Sequence, residues 1–123
     1  VKTTTRESGQ AAEDQALAYL QKQGLKLVVR NWSRRSGELD LVMLDRDTVV
    51  FVEVRSRRHI AWGGAVESID ARKRQRLIAT AQLFLQSESR WAKSPCRFDV
   101  VALSPAVGST SSHLEWIKNA FDS

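Results

Sequence analysis

The stretch Thr48-Val49-Val50-Phe51-Val52-Glu53-Val54-Arg55-Ser56-Arg57 decides the fold. Its run Val49 to Val52 is continuously apolar and β-branched or aromatic, the pattern of a central strand covered on both faces. Glu53 interrupts that run, and a carboxylate buried without a partner is costly. Arg55 stands two residues on and faces the same side of the strand. The preceding segment, Glu38 to Leu44, alternates: Glu38, Asp40 and Val42 on one face, Leu39, Leu41 and Met43 on the other. Asp45-Arg46-Asp47 makes the tight turn between them. In a hairpin, neighbouring backbones lie about 4.8 Å apart, so Asp40 can approach Glu53.

Outward from this hairpin, Leu25 to Trp32 reads as a strand, with Ser33 to Gly37 as the turn that completes a three-stranded meander. Upstream, Ala12, Ala16, Tyr19 and Leu20 recur at helical spacing between Gly9 and Gln23, with Ser8 or Thr5 to cap the helix and Gly24 to stop it. Glu13 borders the buried face of that helix. Downstream, His59 to Glu67 reads as a loop, and Ser68 or Asp70 caps a second helix whose inner stripe is Lys73, Leu77, Ala81 and Phe84 or Leu85. Arg97 to Leu103 is another strand. Ser104 to Ser112 is a mobile Pro/Gly/Ser/Thr loop, and His113 to Ile117 a short last strand with a terminal turn to Phe121. The order α-β-β-β-α-β, with that final strand, defines an α/β fold with helices against a mixed sheet.

The 123 residues fit one domain, residues 1–123. With 42% hydrophobic and 27% charged residues, the composition is that of a globular chain and excludes global disorder. The single cysteine, Cys96, excludes an internal disulfide and a Cys-rich zinc site, and reads as a core or strand-start thiol. No apolar run approaches a membrane span, and Val1 to Gly9 has no apolar signal core, so a cytoplasmic location without membrane attachment is expected. Lys and Arg number 19 against 14 Asp and Glu, a net charge of +5. The excess is concentrated in Arg55, Arg57, Arg58, Arg72, Lys73, Arg74 and Arg76, which either raises the affinity for phosphate backbones or forms a solvated basic face.

Two arrangements satisfy the acids of the hairpin. Glu53 can pair with Arg55, Arg57 or Arg97 while Asp40 lies at a solvated edge. Alternatively, Asp40 and Glu53 converge, and a hard divalent cation with oxygen ligands resolves their repulsion. Asp99 reads as a structural partner, not a ligand. His59 and His113 lack ligand spacing. Trp32, Trp62, Trp91 and Trp116 read as packing residues, with Trp62 also placed to stack on a base. No phosphate-binding loop, dinucleotide fingerprint, zinc-protease helix or nucleophile elbow is present.

The strings Gly37-Glu38-Leu39-Asp40, Phe51-Val52-Glu53-Val54-Arg55-Ser56-Arg57, Arg97-Phe98-Asp99-Val100-Val101 and Glu115-Trp116-Ile117-Lys118-Asn119-Ala120-Phe121 together resemble the YraN family. Lys73 fits the same pattern, as do Gly9, Glu13, Ala16, Tyr19-Leu20, Gly24 and Arg30-Asn31 at the start. This is a group of small bacterial proteins related to Holliday-junction resolvases and restriction endonucleases. The resemblance runs over nearly the whole chain. It implies a restriction-endonuclease-like core of the PD-(D/E)xK superfamily and a Mg²⁺-dependent nuclease acting on DNA, including branched or structured DNA, with Mn²⁺ as a substitute ion.

Carried over, Asp40 and Glu53 become metal ligands joined by the Val54 carbonyl, and Glu13 matches the extra acid of resolvase-like members. Arg55 stands where the motif lysine belongs. Lys73 projects toward the site, completing a catalytic set of Glu13, Asp40, Glu53, Arg55 and Lys73. Leu39 replaces the motif proline. Arg55 cannot serve as a general base, but it can hold a phosphate. Arg57, Arg58, Arg72, Arg74 and Arg76 would grip the backbone without reading sequence. Resolvase relatives act as homodimers on two-fold symmetric junctions. The alternative is a catalytically degenerate nucleic-acid-binding module on the same fold, for which Arg55 is the supporting feature. A third class, a protein-interaction domain, would bind no DNA.

Overall fold

A computed structural model describes residues 5–56, 64, 66–104 and 113–122. The chain runs α1 (Thr5–Lys22), β1 (Lys26–Arg34), β2 (Gly37–Asp45), β3 (Thr48–Ser56), α2 (Ala71–Ser87), a short 3-10 turn (Ser89–Trp91), β4 (Cys96–Ser104) and β5 (His113–Phe121). The strands form one mixed sheet in the order β1-β2-β3-β4-β5. The β1–β2 and β2–β3 pairs are antiparallel hairpins, β3–β4 is parallel with α2 as its crossover, and β4–β5 is antiparallel.

The run Val49 to Val52 is buried throughout and lies in the middle strand, as its uninterrupted apolarity requires. Each face has its own core. Ala16 and Leu20 of α1 pack on Leu41, Met43, Val50, Val52, Val101 and Leu103. On the other face, Leu77, Ala81 and Phe84 of α2 pack on Leu39, Val49, Phe51, Phe98 and Val100. Phe84 meets Trp32 and Phe51 edge-on, with ring centroids 5.4 and 6.0 Å apart. Gly24, at φ 97°, ends α1 in the left-handed conformation that glycine adopts without cost. Asp70 caps α2, its side chain accepting from the Lys73 N–H at 2.8 Å. Helix α1 starts at Thr5, so Ser8 lies inside it.

Several expectations need correction. β1 extends through Arg34, leaving only Arg35 and Ser36 as the turn, shorter than the expected Ser33 to Gly37. Cys96 is an exposed thiol at the first position of β4, the strand-start alternative. β5 does not stop at Ile117 but continues to Phe121. A register irregularity between Phe98 and Val100 lets it do so: Asn119 takes φ 52° and donates its N–H to Asp99 Oδ1 at 2.9 Å. Asp99, fully buried, also accepts from Arg97 Nε at 3.0 Å and from Trp116 Nε1 at 2.9 Å. It is the structural partner its position indicated. The mobile loop expected at 104–112 lies, apart from Ser104, outside the described residues.

The alternation in β2 also changes phase. Leu39 joins the α2 face with Val42, whereas Leu41 and Met43 join the α1 face. The slip falls at Asp40, beyond the last β2–β3 pair on that side, Leu41 with Val52. On the other flank β1 pairs Arg30 with Leu41 and Trp32 with Leu39, and Asn31 between them takes φ 55°. The sheet is irregular at one level across β1, β2 and β3, and there the acids meet.

Candidate metal and phosphate site

Where β2 parts from β3, the Val54 N–H has no acceptor from β2's backbone; it donates instead to Asp40 Oδ2 at 2.9 Å. That bond turns Asp40 toward Glu53, and the two carboxyl groups hydrogen-bond. Asp40 is therefore not a solvated edge residue: it is half-buried on an interior strand. Burial first, then the bond and charge of Glu53, raise its pKa well above the ordinary carboxylate range. Glu53 is 5% exposed. Its Oε2 lies 2.8 Å from Lys73 Nζ, an ion pair without hydrogen-bond alignment.

Lys73 thus fills the partner role for which three arginines were considered. Arg97 is committed to Asp99 and Asp45. Arg55 donates from Nε to Ser68 Oγ at 3.1 Å. Arg57 lies outside the described residues, as do Arg58, His59 and Trp62.

Glu13 reaches the same place from α1. Burial raises its pKa; hydrogen bonds from Arg30 and Asn31 work in the opposite direction. Arg30 Nη2 lies 3.4 Å from Glu13 and Nη1 2.8 Å from Asp14. The left-handed turn at Asn31 brings its side chain onto Glu13. Ligand oxygens of Glu13, Glu38 and Asp40 all lie within 4.8 Å of one another. Glu38 is exposed and accepts from Ser33 Oγ at 2.9 Å. Sequence reasoning assigned no role to Glu38 or Asn31, although Glu38 was seen to share a face with Asp40.

These acids open on a cleft of about 500 Å³ whose walls include Glu38, Asp40 and Glu53 from the sheet and Arg72, Lys73 and Arg76 from α2. Gly37 forms part of its floor at φ 153°, and a Cβ there would stand 3.3 Å from Thr80 Oγ1. One arginine of the expected phosphate grip, Arg74, is spent elsewhere. It donates to the carbonyls of Ile69 at 3.0 Å and Val66 at 3.3 Å, and lies over the Phe121 ring. Val54 enters the site through its N–H.

The donor set fits a hard divalent cation. It offers only carboxylate oxygens, three of them mutually close, and a buried oxygen of Glu53 that makes no hydrogen bond. Without a cation, protons and Lys73 offset the converging charge.

The arrangement is that of an α/β protein with an acid cluster at a break in its sheet and arginines on the facing helix. The chain belongs to the uncharacterised protein family UPF0102, the YraN family, whose model matches residues 12–103. It is 65% identical over 119 residues to a UPF0102 protein of Pseudomonas aeruginosa, covering 97% of this chain and 95% of the relative. A UPF0102 protein of Stutzerimonas stutzeri is likewise 65% identical over 119 residues, 97% of this chain and 98% of the relative. One from Pseudomonas fluorescens is 62% identical over 120 residues, 98% and 97%. Among the described residues no helix is long and apolar enough to cross a membrane.

Proposed function

We propose that the chain is a metal-dependent nuclease that hydrolyses phosphodiester bonds of DNA, branched or structured DNA included, on a restriction-endonuclease-like core. The observation that carries this reading is the meeting of Asp40 and Glu53, from separate strands, in a cleft whose facing helix presents Arg72, Lys73 and Arg76. Acid on one wall and guanidinium on the other suit a cation and a phosphate side by side.

Asp40 and Glu53 would hold Mg²⁺ or Mn²⁺, with the Val54 carbonyl as a third donor. The ion supplies Lewis-acid polarisation of the phosphodiester and a more acidic water. Asp40 gives up the proton it carries in the cation-free site. Glu13 and Glu38 orient water at the margin of the acid cluster. Lys73, 2.8 Å from Glu53, is placed to exchange that carboxylate for a phosphate oxygen as substrate enters. Arg72 and Arg76 position the backbone and exclude bulk water.

A second reading, a nucleic-acid-binding module that no longer cuts, is favoured by Arg55. It replaces the motif lysine, and its Nε donates to Ser68. One assay separates the two. Plasmid, single-stranded and four-way-junction DNA are incubated with Mg²⁺ or Mn²⁺, with Asp40→Ala and Glu53→Ala proteins prepared in parallel. Cation-dependent cutting that both substitutions abolish supports the nuclease. Salt-sensitive binding without cutting supports the module. Equal cutting by all three proteins rules out this site.

A further inference from the structure

A second cleft, about 550 Å³, adjoins the acid site and shares Gly37, Arg72 and Arg76 with it. Its other walls include Arg35 from the β1–β2 turn and Gln75 from α2, and among the described residues no carboxylate lines it. Arg35, Arg72 and Arg76 are exposed, and none of them makes an ion pair among the described residues. Other arginines of the chain, Arg30, Arg90 and Arg97, are paired with acids.

The three charges also stand on a braced support. Ser36 Oγ and Thr80 Oγ1 are 2.7 Å apart, and Thr80 Oγ1 donates to the Arg76 carbonyl at 2.7 Å. The turn carrying Arg35 is thereby tied to the helix turn carrying Arg76. Arg72 and Arg76, four residues apart on α2, share one face.

We infer that this cleft is a second phosphate subsite, in which Arg35, Arg72 and Arg76 hold the backbone phosphate next to the one attacked. The inference rests on the nuclease reading and narrows its substrate class. A lone phosphate monoester fills one cleft only, whereas a polynucleotide offers a phosphate to each. The site therefore takes strands that continue past the scissile bond over Gly37, and cuts internal bonds in preference to terminal nucleotides. Arg35 becomes a binding residue for which sequence reasoning gave no signal, because the turn's place beside α2 is a tertiary fact.

The test is binding of a fluorescein-labelled single-stranded oligonucleotide in EDTA across a salt series, with cleavage in Mg²⁺ measured on the same preparations. Arg35→Gln and Arg76→Gln each weaken binding about fivefold at 0.1 M salt and lower the slope of log affinity against log salt by about 0.7. Arg46→Gln, in the β2–β3 turn, leaves both unchanged. If Arg35→Gln and Arg76→Gln bind as wild type does, the second subsite is overturned, while cation-dependent cutting by the same preparations keeps the nuclease reading standing. If wild type neither binds with salt sensitivity nor cuts, both are overturned.

Discussion

The carboxylate of Asp40 stands in for a main-chain acceptor of β2: Val54 N–H donates to its Oδ2 at 2.9 Å, beyond the point where the β2–β3 ladder ends. One residue thus closes the sheet and opens the site. Its side chain is held by a strand-like bond, and that bond forces it against Glu53. Stability and function pull in opposite directions at this position.

Asp40→Asn keeps an oxygen for Val54 and faces Glu53 without charge while needing no bound proton. In EDTA its Tm equals or exceeds that of wild type. Asp40→Ala leaves the Val54 N–H without an acceptor and costs about 1–3 kcal/mol of the gain. Mg²⁺ raises the Tm of wild type and leaves both variants unmoved. Thermal melting with and without the ion checks this.

The pH dependence follows from the same pair. Asp40 and Glu13 hold protons more tightly folded than unfolded, chiefly through burial. The native state therefore binds more protons above the unfolded carboxylate values near pH 4, and stability falls as pH rises from there across neutrality, by at most about 1.4 kcal/mol per pH unit for each proton. Saturating Mg²⁺ flattens that slope, because cation and proton compete, and Asp40→Asn flattens it without the ion. Urea unfolding between about pH 5 and pH 8, inside the window between the unfolded carboxylate values and the raised native one of Asp40, measures it.

Lys73→Met removes the cation beside a carboxylate that is 5% exposed, while Lys73 itself is 42% exposed. Solvent screening places the loss between a surface pair and a buried one, about 1–3 kcal/mol. Mg²⁺ restores most of the lost stability in this variant, since the ion takes over the neutralising role. A denaturant midpoint that drops and is not recovered by the ion would assign Lys73 a packing role alone.

Asp99→Ala strips the Arg97 ion pair and the bonds from Trp116 and Asn119 at a fully buried position. The expected cost is about 3–5 kcal/mol. Arg97→Ala on the same network lowers stability too, and in neither variant does the ion-induced Tm shift vanish as it does in Asp40→Asn. Calorimetric melting of the surviving fold, with and without Mg²⁺, makes the comparison.

The central strand was legible because Val49 to Val52 is apolar without a break, and the helices because their stripes and caps agree. Glu53 was legible as an acid that a buried strand could not leave unpaired, and Asp40 as an acid able to approach it, with a solvated edge position as the alternative. The phase slip at Asp40 was not, because side-chain substitution for a ladder bond has no periodicity to betray it. The same holds for the extension of β5: the buried Asp99, reaching Asn119, and the stacked Phe98 and Phe121 rings sustain that strand past Ile117. Basic residues were legible as a cluster but not by direction. Arg74 turns to the carbonyls of Ile69 and Val66, and Arg35 joins Arg72 and Arg76 only once the Ser36–Thr80 contact is made.

The most direct measurement is Mn²⁺ binding followed by electron paramagnetic resonance on wild type, Asp40→Asn and Glu53→Gln proteins at about pH 7.5, where a bound cation must displace the Asp40 proton. The account predicts saturable binding to wild type that each substitution weakens at least tenfold. Binding of equal strength in all three proteins, or none to wild type, would contradict the claim that these acids form a cation site.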